Sequence, residues 1–151
     1  MKAHQLTIPA DNAPGRLAKV TAVLSKEKIN IRAITISSFG ERGFFNLIVD
    51  DPKRAQKALE KEGLETKFKE VLAVLIDDKP GGLDRLVQVL AKQGINIENA
   101  YGFVVESHMK AVFVLEVVDT DRTEAILSEH GFTTLDAESM NAVEPFHYMK
   151  Y

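Results

Sequence analysis

Two short stretches of this chain carry groups that could hold a charged small molecule. One is Asp11-Asn12-Ala13-Pro14-Gly15-Arg16-Leu17; the other, 66 positions on (Pro14 to Pro80), is Asp77-Asp78-Lys79-Pro80-Gly81-Gly82-Leu83. A Pro-Gly step that feeds a helix leaves backbone N–H groups at the helix start without intrahelical partners. The residue before each proline is Ala13 or Lys79, and neither offers a good capping oxygen. Those donors, with the positive end of the helix dipole, suit a carboxylate. Gly15 and Gly81 let a ligand approach the backbone closely. Asn12 and Asp78, two before each proline, can accept from an ammonium, as can the side-chain carbonyls of Asn30 and Asn96. Donors for a carboxylate beside acceptors for an ammonium describe a receptor for a free amino acid. The competing reading is that Asp11, Asn12, Asp77 and Asp78 shape turns and cap helices, with Asn30 and Asn96 as turn residues. Recurrence of both features in register favours the ligand.

The elements that must position these residues are duplicated as well. The same shift carries Ile29-Asn30-Ile31 onto Ile95-Asn96-Ile97 and Val23-Leu24 onto Val89-Leu90. Two copies of one small fold are therefore expected, over 1–70 and 71–151, with a tail from about residue 140 outside the repeat. In the first copy Gln5 to Pro9 alternates as a half-buried strand, and Pro14 suits the first position of a helix carrying Leu17, Val20, Thr21 and Leu24. A strand from Ile29 to Phe39 turns at Gly40-Glu41-Arg42-Gly43 into another from Phe44 to Val49. Asp51-Pro52 opens a second helix that stops at Gly63, and Glu65 to Lys69 forms a charged strand.

The second copy repeats this order from Val71 to Ile76, through a helix with Leu83, Leu86, Val87 and Leu90, strands at Ile95–Val105 and Lys110–Val118, and a helix from Thr120 to His130. Gly94 stands where a left-handed helix end favours glycine, and the first copy has Lys28 there. Beyond the middle turn the offset becomes 68 (Gly63 to Gly131). Strands Val71–Ile76 and Ala111–Val118 are apolar on both faces, so both faces should be covered. The expected cover is another subunit or the tail with Phe146, Tyr148, Met149 and Tyr151.

Composition narrows the function. A net charge of −3 gives no electrostatic reason for nucleic-acid binding. The absence of cysteine excludes a disulfide framework, a thiolate nucleophile and a Cys-based zinc site. Met1-Lys2-Ala3-His4-Gln5 lacks the apolar core of a signal peptide, and no apolar stretch reaches membrane-spanning length, so a cytoplasmic protein is expected. His4, His108, His130 and His147 show no ligand spacing, and Asp50-Asp51 and Asp119 stand where second helices need an N-terminal oxygen. Neither an enzyme nor a metal or cofactor site is expected.

Both halves resemble ACT domains, the effector-binding modules attached to amino-acid biosynthetic enzymes. The likeness rests on D-N-A-P-G-R-L with K-I-N-I and on D-D-K-P-G-G-L with G-I-N-I, and covers the chain to about Ser139. It implies an α+β fold of two ferredoxin-like βαββαβ domains, each an antiparallel sheet with two helices on one face. It also implies an amino acid between the loop of one domain and the second strand of another. The ligand-binding set is then Asp11, Asn12, Ala13, Pro14, Gly15, Leu17, Asn30 and Ile31, repeated as Asp77, Asp78, Lys79, Pro80, Gly81, Gly82, Leu83, Asn96 and Ile97.

Serine-binding ACT domains of phosphoglycerate dehydrogenase also use a histidine four before the proline, where this chain has Ala10 and Ile76. That departure weakens serine as the effector. Ile31, Ile34, Tyr101 and Phe103 point to a branched or aromatic one. The resemblance further implies a homodimer and a partner enzyme or regulator. The alternatives are the regulatory small subunit of an enzyme such as acetolactate synthase, which the first half resembles, and a structural adaptor with vestigial pockets. An RNA-binding module of the same strand-helix order would need exposed aromatics amid basic residues, which the acidic balance opposes.

Overall fold

The computed structural model describes residues 1–11, 13–106 and 108–142. The fold is α+β, two ferredoxin-like βαββαβ halves in sequence. By its internal packing the chain divides into two compact units, His4–Lys69 and, with Met1–Ala3, Glu70–Tyr151. The first half runs β1 (Ala3–Asp11), α1 (Arg16–Lys26), β2 (Ile31–Phe39), β3 (Arg42–Val49), α2 (Pro52–Lys61) and β4 (Lys67–Asp77). The second continues through α3 (Gly82–Lys92), β5 (Asn99–Glu106), β6 (Lys110–Glu116), α4 (Thr120–Glu129) and β7 (Thr133–Leu135), and α5 (Ala137–Ala142) follows. The two strands expected at Glu65–Lys69 and Val71–Ile76 are one: no Gly, Pro or turn residue interrupts 67–77, so β4 closes one repeat and opens the next.

In the first unit β3 pairs antiparallel with β1 and β2, Leu6 opposite Leu47 and Ile34 opposite Leu47 from the other side. Leu6, Ile8, Leu47 and Val49 meet Val20 and Leu24 of α1 and Ala55 and Leu59 of α2 in one core. The opposite face is expected to be half wet, yet Gln5, Thr7 and Asn46 on it are buried. They are satisfied in a ladder: Gln5 Nε2 donates to Thr7 Oγ1 (2.9 Å), Thr7 Oγ1 to Asn46 Oδ1 (2.9 Å), and Asn46 Nδ2 to Thr35 Oγ1 (3.1 Å). Buried polar groups are tolerable on these terms.

The second unit has the order β7-β4-β6-β5. Leu72, Val74, Leu115 and Val117 pack with Leu86 and Leu90 of α3, Leu127 of α4 and Phe132. Val71, Ala73, Val112 and Val114, on the other face, are fully buried as well. Both faces of these strands are therefore buried, as their apolar pattern called for. The expected cover by Phe146, Tyr148, Met149 and Tyr151 lies outside the described residues.

The helix ends repeat closely. Ile29 N–H reaches Leu24 O (2.9 Å) and Lys28 N–H reaches Ser25 O (3.0 Å); Ile95 and Gly94 do the same to Leu90 (2.9 Å) and Ala91 (3.1 Å). This double bond requires a left-handed residue, which Gly94 supplies at φ 70° and Lys28 at φ 58°. Asp51 and Asp119 cap α2 and α4, accepting from Arg54 N–H (3.3 Å) and Arg122 N–H (3.0 Å). Those carboxylates are structural.

Candidate functional site

Pro14 and Pro80 do not take the first helical position. Each stands two residues earlier, at the second place of a type II turn, a turn that accepts proline there and then needs positive φ. Gly15 (φ 87°, ψ −11°) and Gly81 (φ 88°, ψ −13°) supply it and form the N-caps of α1 and α3. A Cβ at Gly15 or Gly81 would meet nothing within 4 Å, so backbone angle, not crowding, is what calls for glycine there. The turns consume one donor at each helix. Arg16 N–H bonds to Ala13 O (3.3 Å) and Gly82 N–H to Lys79 O (3.0 Å). That corrects the expectation that every donor at the helix start is open. Neither cap makes a side-chain hydrogen bond to the helix. The amides after the first, at Leu17 and Ala18 and at Leu83 and Asp84, thus have no side-chain cap.

The acidic residues around the loops have partners of their own. Asp11 accepts from Arg16 Nη2 (3.4 Å), and Ala13 N–H donates to Asp11 O (2.8 Å). Asn12 lies outside the described residues. Asp77 Oδ1 accepts from Lys110 Nζ (2.8 Å), and Lys79 Nζ stands 3.9 Å from its other oxygen. The Lys110 ammonium, more than any other group, holds the Asp77 carboxyl below the usual carboxylate range. Asp78 Oδ2 accepts from His108 N–H (2.8 Å) while its own N–H donates to Met109 O (3.1 Å), which clamps the turn between β5 and β6. Gly82 has a separate constraint, because a Cβ there would lie 2.0 Å from Asp77 O. Leu17 and Ile31 pack against the first core and Ile97 against the second, whereas Leu83 is 41% exposed. Tyr101 is half-buried, and burial, followed by Glu116, raises its phenol above the ordinary value.

Asn30 and Asn96 are exposed but sit far from the loop of their own half. In register Asp11 lies opposite Arg42, and Arg42 opposite Phe39, the last residue of β2. Asn30 precedes the first residue of β2, Ile31, which is opposite Val49; its N–H donates to Asp50 Oδ1 and its O accepts from Asp50 N–H, both 3.1 Å. Eight strand residues separate those two ends, roughly 26 Å at about 3.3 Å each. The second half is built alike: Asp77 lies opposite Lys110 at the Glu106 end of β5, and Asn96 lies beyond the other end, where Glu98 N–H bonds to Glu116 O (2.9 Å). One half alone cannot offer its loop and its asparagine to the same small molecule.

Two cavities do lie inside single halves, at the loop ends. The first, about 420 Å³, is bounded by the end of β1, the start of β3, Arg16 and the 63–65 segment. The second, about 240 Å³, is bounded by the corresponding residues of the second half. Arg42 and Lys110 are absent from the sequence-derived site. The 68-residue offset that aligns Gly63 with Gly131 also aligns these two cations, and that was the available signal. Among the described residues, no cluster of three or more His, Asp or Glu side chains could hold a metal ion. Nor, among those residues, is any helix long and apolar enough to cross a membrane.

Comparison with known proteins bears on the whole chain. A family model described as an ACT domain pair matches residues 1–143. A solved protein from Bacteroides thetaiotaomicron is 32% identical, covers 89% of this chain and 92% of its own, and superposes with a TM-score of 0.83. The ligand-free regulatory subunit of aspartate kinase from Thermus thermophilus has 21% identity, coverage of 83% and 88%, and a TM-score of 0.61; the likeness is one of fold. The corresponding Thermus flavus subunit gives 22% identity, the same coverage and 0.56. No functionally curated protein matches. On the strength of the family match across 1–143, the chain belongs to the ACT domain pair family.

Proposed function

We propose that this protein is a non-catalytic regulatory sensor that binds a free amino acid between ACT modules, about 1–70 and 71–151, and passes its occupancy to a partner. The observation that carries this reading is the pair of glycine-capped helices, α1 and α3, whose first turns lack a side-chain cap. Uncapped amides at a helix start suit a carboxylate. The asparagine at the far end of each half then belongs to a neighbouring module, where it accepts from the ammonium. The ligand-binding set is Asp11, Asn12, Ala13, Pro14, Gly15, Leu17, Asn30 and Ile31 with its counterparts from Asp77 to Leu83, Asn96 and Ile97. Ligand bridging two modules shifts their relative orientation by binding one arrangement better than the other.

The edge strands favour a homo-oligomer, most simply a dimer. Among the described residues β2 pairs only with β3 and β5 only with β6. Ile36 and Val104 on these edges are each 57% exposed. A long open edge with exposed apolar residues is a ready surface for another strand. The partner is an amino-acid biosynthetic enzyme or its regulator in the cytoplasm, a role in keeping with the aspartate kinase regulatory subunits that share the fold.

Thermal denaturation against the twenty amino acids tests the reading. A ligand at a hundred times its dissociation constant stabilises by about 2.7 kcal/mol, at roughly 2–4 °C per kcal/mol for a chain of this size. A branched or aromatic amino acid should give the largest rise, and Gly15→Val and Gly81→Val together should remove it. No rise with any of the twenty would leave the structural adaptor as the better account.

A further inference from the structure

The two single-half cavities occupy the same place in the repeat but end in opposite states. Pro9, Ala10, Asp11 and Arg16 of the first correspond to Leu75, Ile76, Asp77 and Gly82 of the second, and Arg42 and Leu64 correspond to Lys110 and Phe132. In both halves the aspartate and the β-strand cation are register partners. The second half closes its cavity with its own charges. Lys110 bonds to Asp77 at 2.8 Å, and Arg85 donates to His130 O (2.9 Å) with its guanidinium 4.2 Å from the Phe132 ring centroid.

In the first half one substitution redirects this arrangement. Arg16 stands where the second half has Gly82, and it takes the carboxylate of Asp11. Arg42 is left, among the described residues, with no carboxylate partner. Leu64 in place of Phe132 offers no ring for a guanidinium to cover. The cavity that remains, about 420 Å³ against about 240 Å³, falls within the range of roughly 300–1,000 Å³ typical of ligand pockets, whereas its counterpart falls short. Its walls pair the Arg42 guanidinium with Pro9 and its register partner Phe44, whose ring is 39% exposed, while Leu64 belongs to the buried core behind. A guanidinium fork beside apolar surface matches a carboxylate on a hydrocarbon body.

We propose that the first half holds a second, independent site, in which Arg42 binds the carboxylate of a small organic acid and Phe44 and Pro9 bind its apolar body. The site lies within one half and needs neither the loop amides nor an asparagine from another module. Nuclear magnetic resonance titration of the full chain with L-leucine and with 4-methyl-2-oxopentanoate tests it, the pair sharing a carbon skeleton and differing in the ammonium group. Saturable shifts at the Gly43, Leu64 and Glu65 amides and the Arg42 Nε are expected from one probe or both. Glu65 on the rim predicts the stronger response for L-leucine.

Arg42→Ala should weaken the response by about tenfold or more, as expected for loss of a charged hydrogen-bonded partner, and Arg42→Lys should restore part of it. Arg16→Ala should also weaken it, because Asp11 is then released to its register partner. Lys110→Ala should not alter these signals. Gly15→Val with Gly81→Val should leave them in place while abolishing both loop sites, so failure of either kind of site is seen separately. No saturable shift with either probe, or equal affinity in Arg42→Ala, overturns the proposal.

Discussion

Asp11 and Arg42 are register partners across β1 and β3, as Asp77 and Lys110 are across β4 and β6, yet only the second pair forms a salt bridge, at 2.8 Å. Beside these pairs the repeats differ at a neighbouring position, Arg16 against Gly82.

The Asp77–Lys110 pair predicts a signed pH dependence. The folded state lowers the pKa of Asp77, chiefly through the hydrogen bond from Lys110. A depressed carboxylate contributes stability that is complete above its unfolded value, ordinarily about 4, and lost as pH falls through the lowered folded value. Lys110→Ala should move the Asp77 carboxyl titration, followed by carbon resonance, upward toward the ordinary range. It should also flatten the fall in Tm below that range. An unmoved midpoint would count against the pair.

Gly82 should tolerate no side chain. A Cβ there would lie 2.0 Å from the Asp77 carbonyl oxygen, which is backbone and cannot rotate away. Gly82→Ala is expected to cost about 1–3 kcal/mol, in the range for overpacked sites. Gly15→Ala meets no atom and should cost only the left-handed strain of about 1–2 kcal/mol. Urea denaturation of both variants checks the order.

Lys28 offers a gain in stability. At φ 58° it bears the left-handed strain that Gly94 avoids at the matching helix end. Relief of about 1–2 kcal/mol, less about 0.4–1 kcal/mol for the freer unfolded chain, gives a net rise of roughly 0.5–1 kcal/mol for Lys28→Gly. Gly94→Lys should lower stability by a similar amount. A fall in Tm for Lys28→Gly would contradict the argument.

Asn46 should be the least replaceable polar residue of the first sheet. Its amide accepts from Gln5 (3.2 Å) and Thr7 and donates to Thr35. Asn46→Ala strips partners from a buried ladder, at about 1–3 kcal/mol for each group left unsatisfied. A double-mutant cycle with Thr7→Val should show strong coupling; simple additivity would refute the ladder.

The duplicated architecture was legible because apolar periodicity and turn residues recur with one offset: Leu24 and Leu90 hold equivalent core places, and Asp51 and Asp119 equivalent caps. The fusion of two strands into β4 was harder to read, since Lys67-Phe68-Lys69-Glu70 looks like a terminating polar edge. Polarity there reflects exposure of one stretch of the strand and does not mark its end. The Gln5–Thr7–Asn46 ladder escaped because alternation assigns polar residues to water and cannot register that partners on a neighbouring strand satisfy them. Pattern alone puts the prolines at the helix start, two residues further into the helix than they stand, since Pro-Gly satisfies either a helix start or a type II turn, and positive φ in the following glycine decides between them. The freedom of Arg42 is not legible in the sequence because it depends on where Arg16 points, a matter of side-chain competition that no spacing rule encodes.

The separation of loop from asparagine within each half has a practical corollary for titrations. Under the proposed function the second contact group comes from elsewhere, and where that source is another molecule, diluting the protein will loosen its grip on the effector. Curves measured at nanomolar and at micromolar protein would then fail to superimpose, and the gap between them would read out how strongly occupancy and self-association reinforce each other.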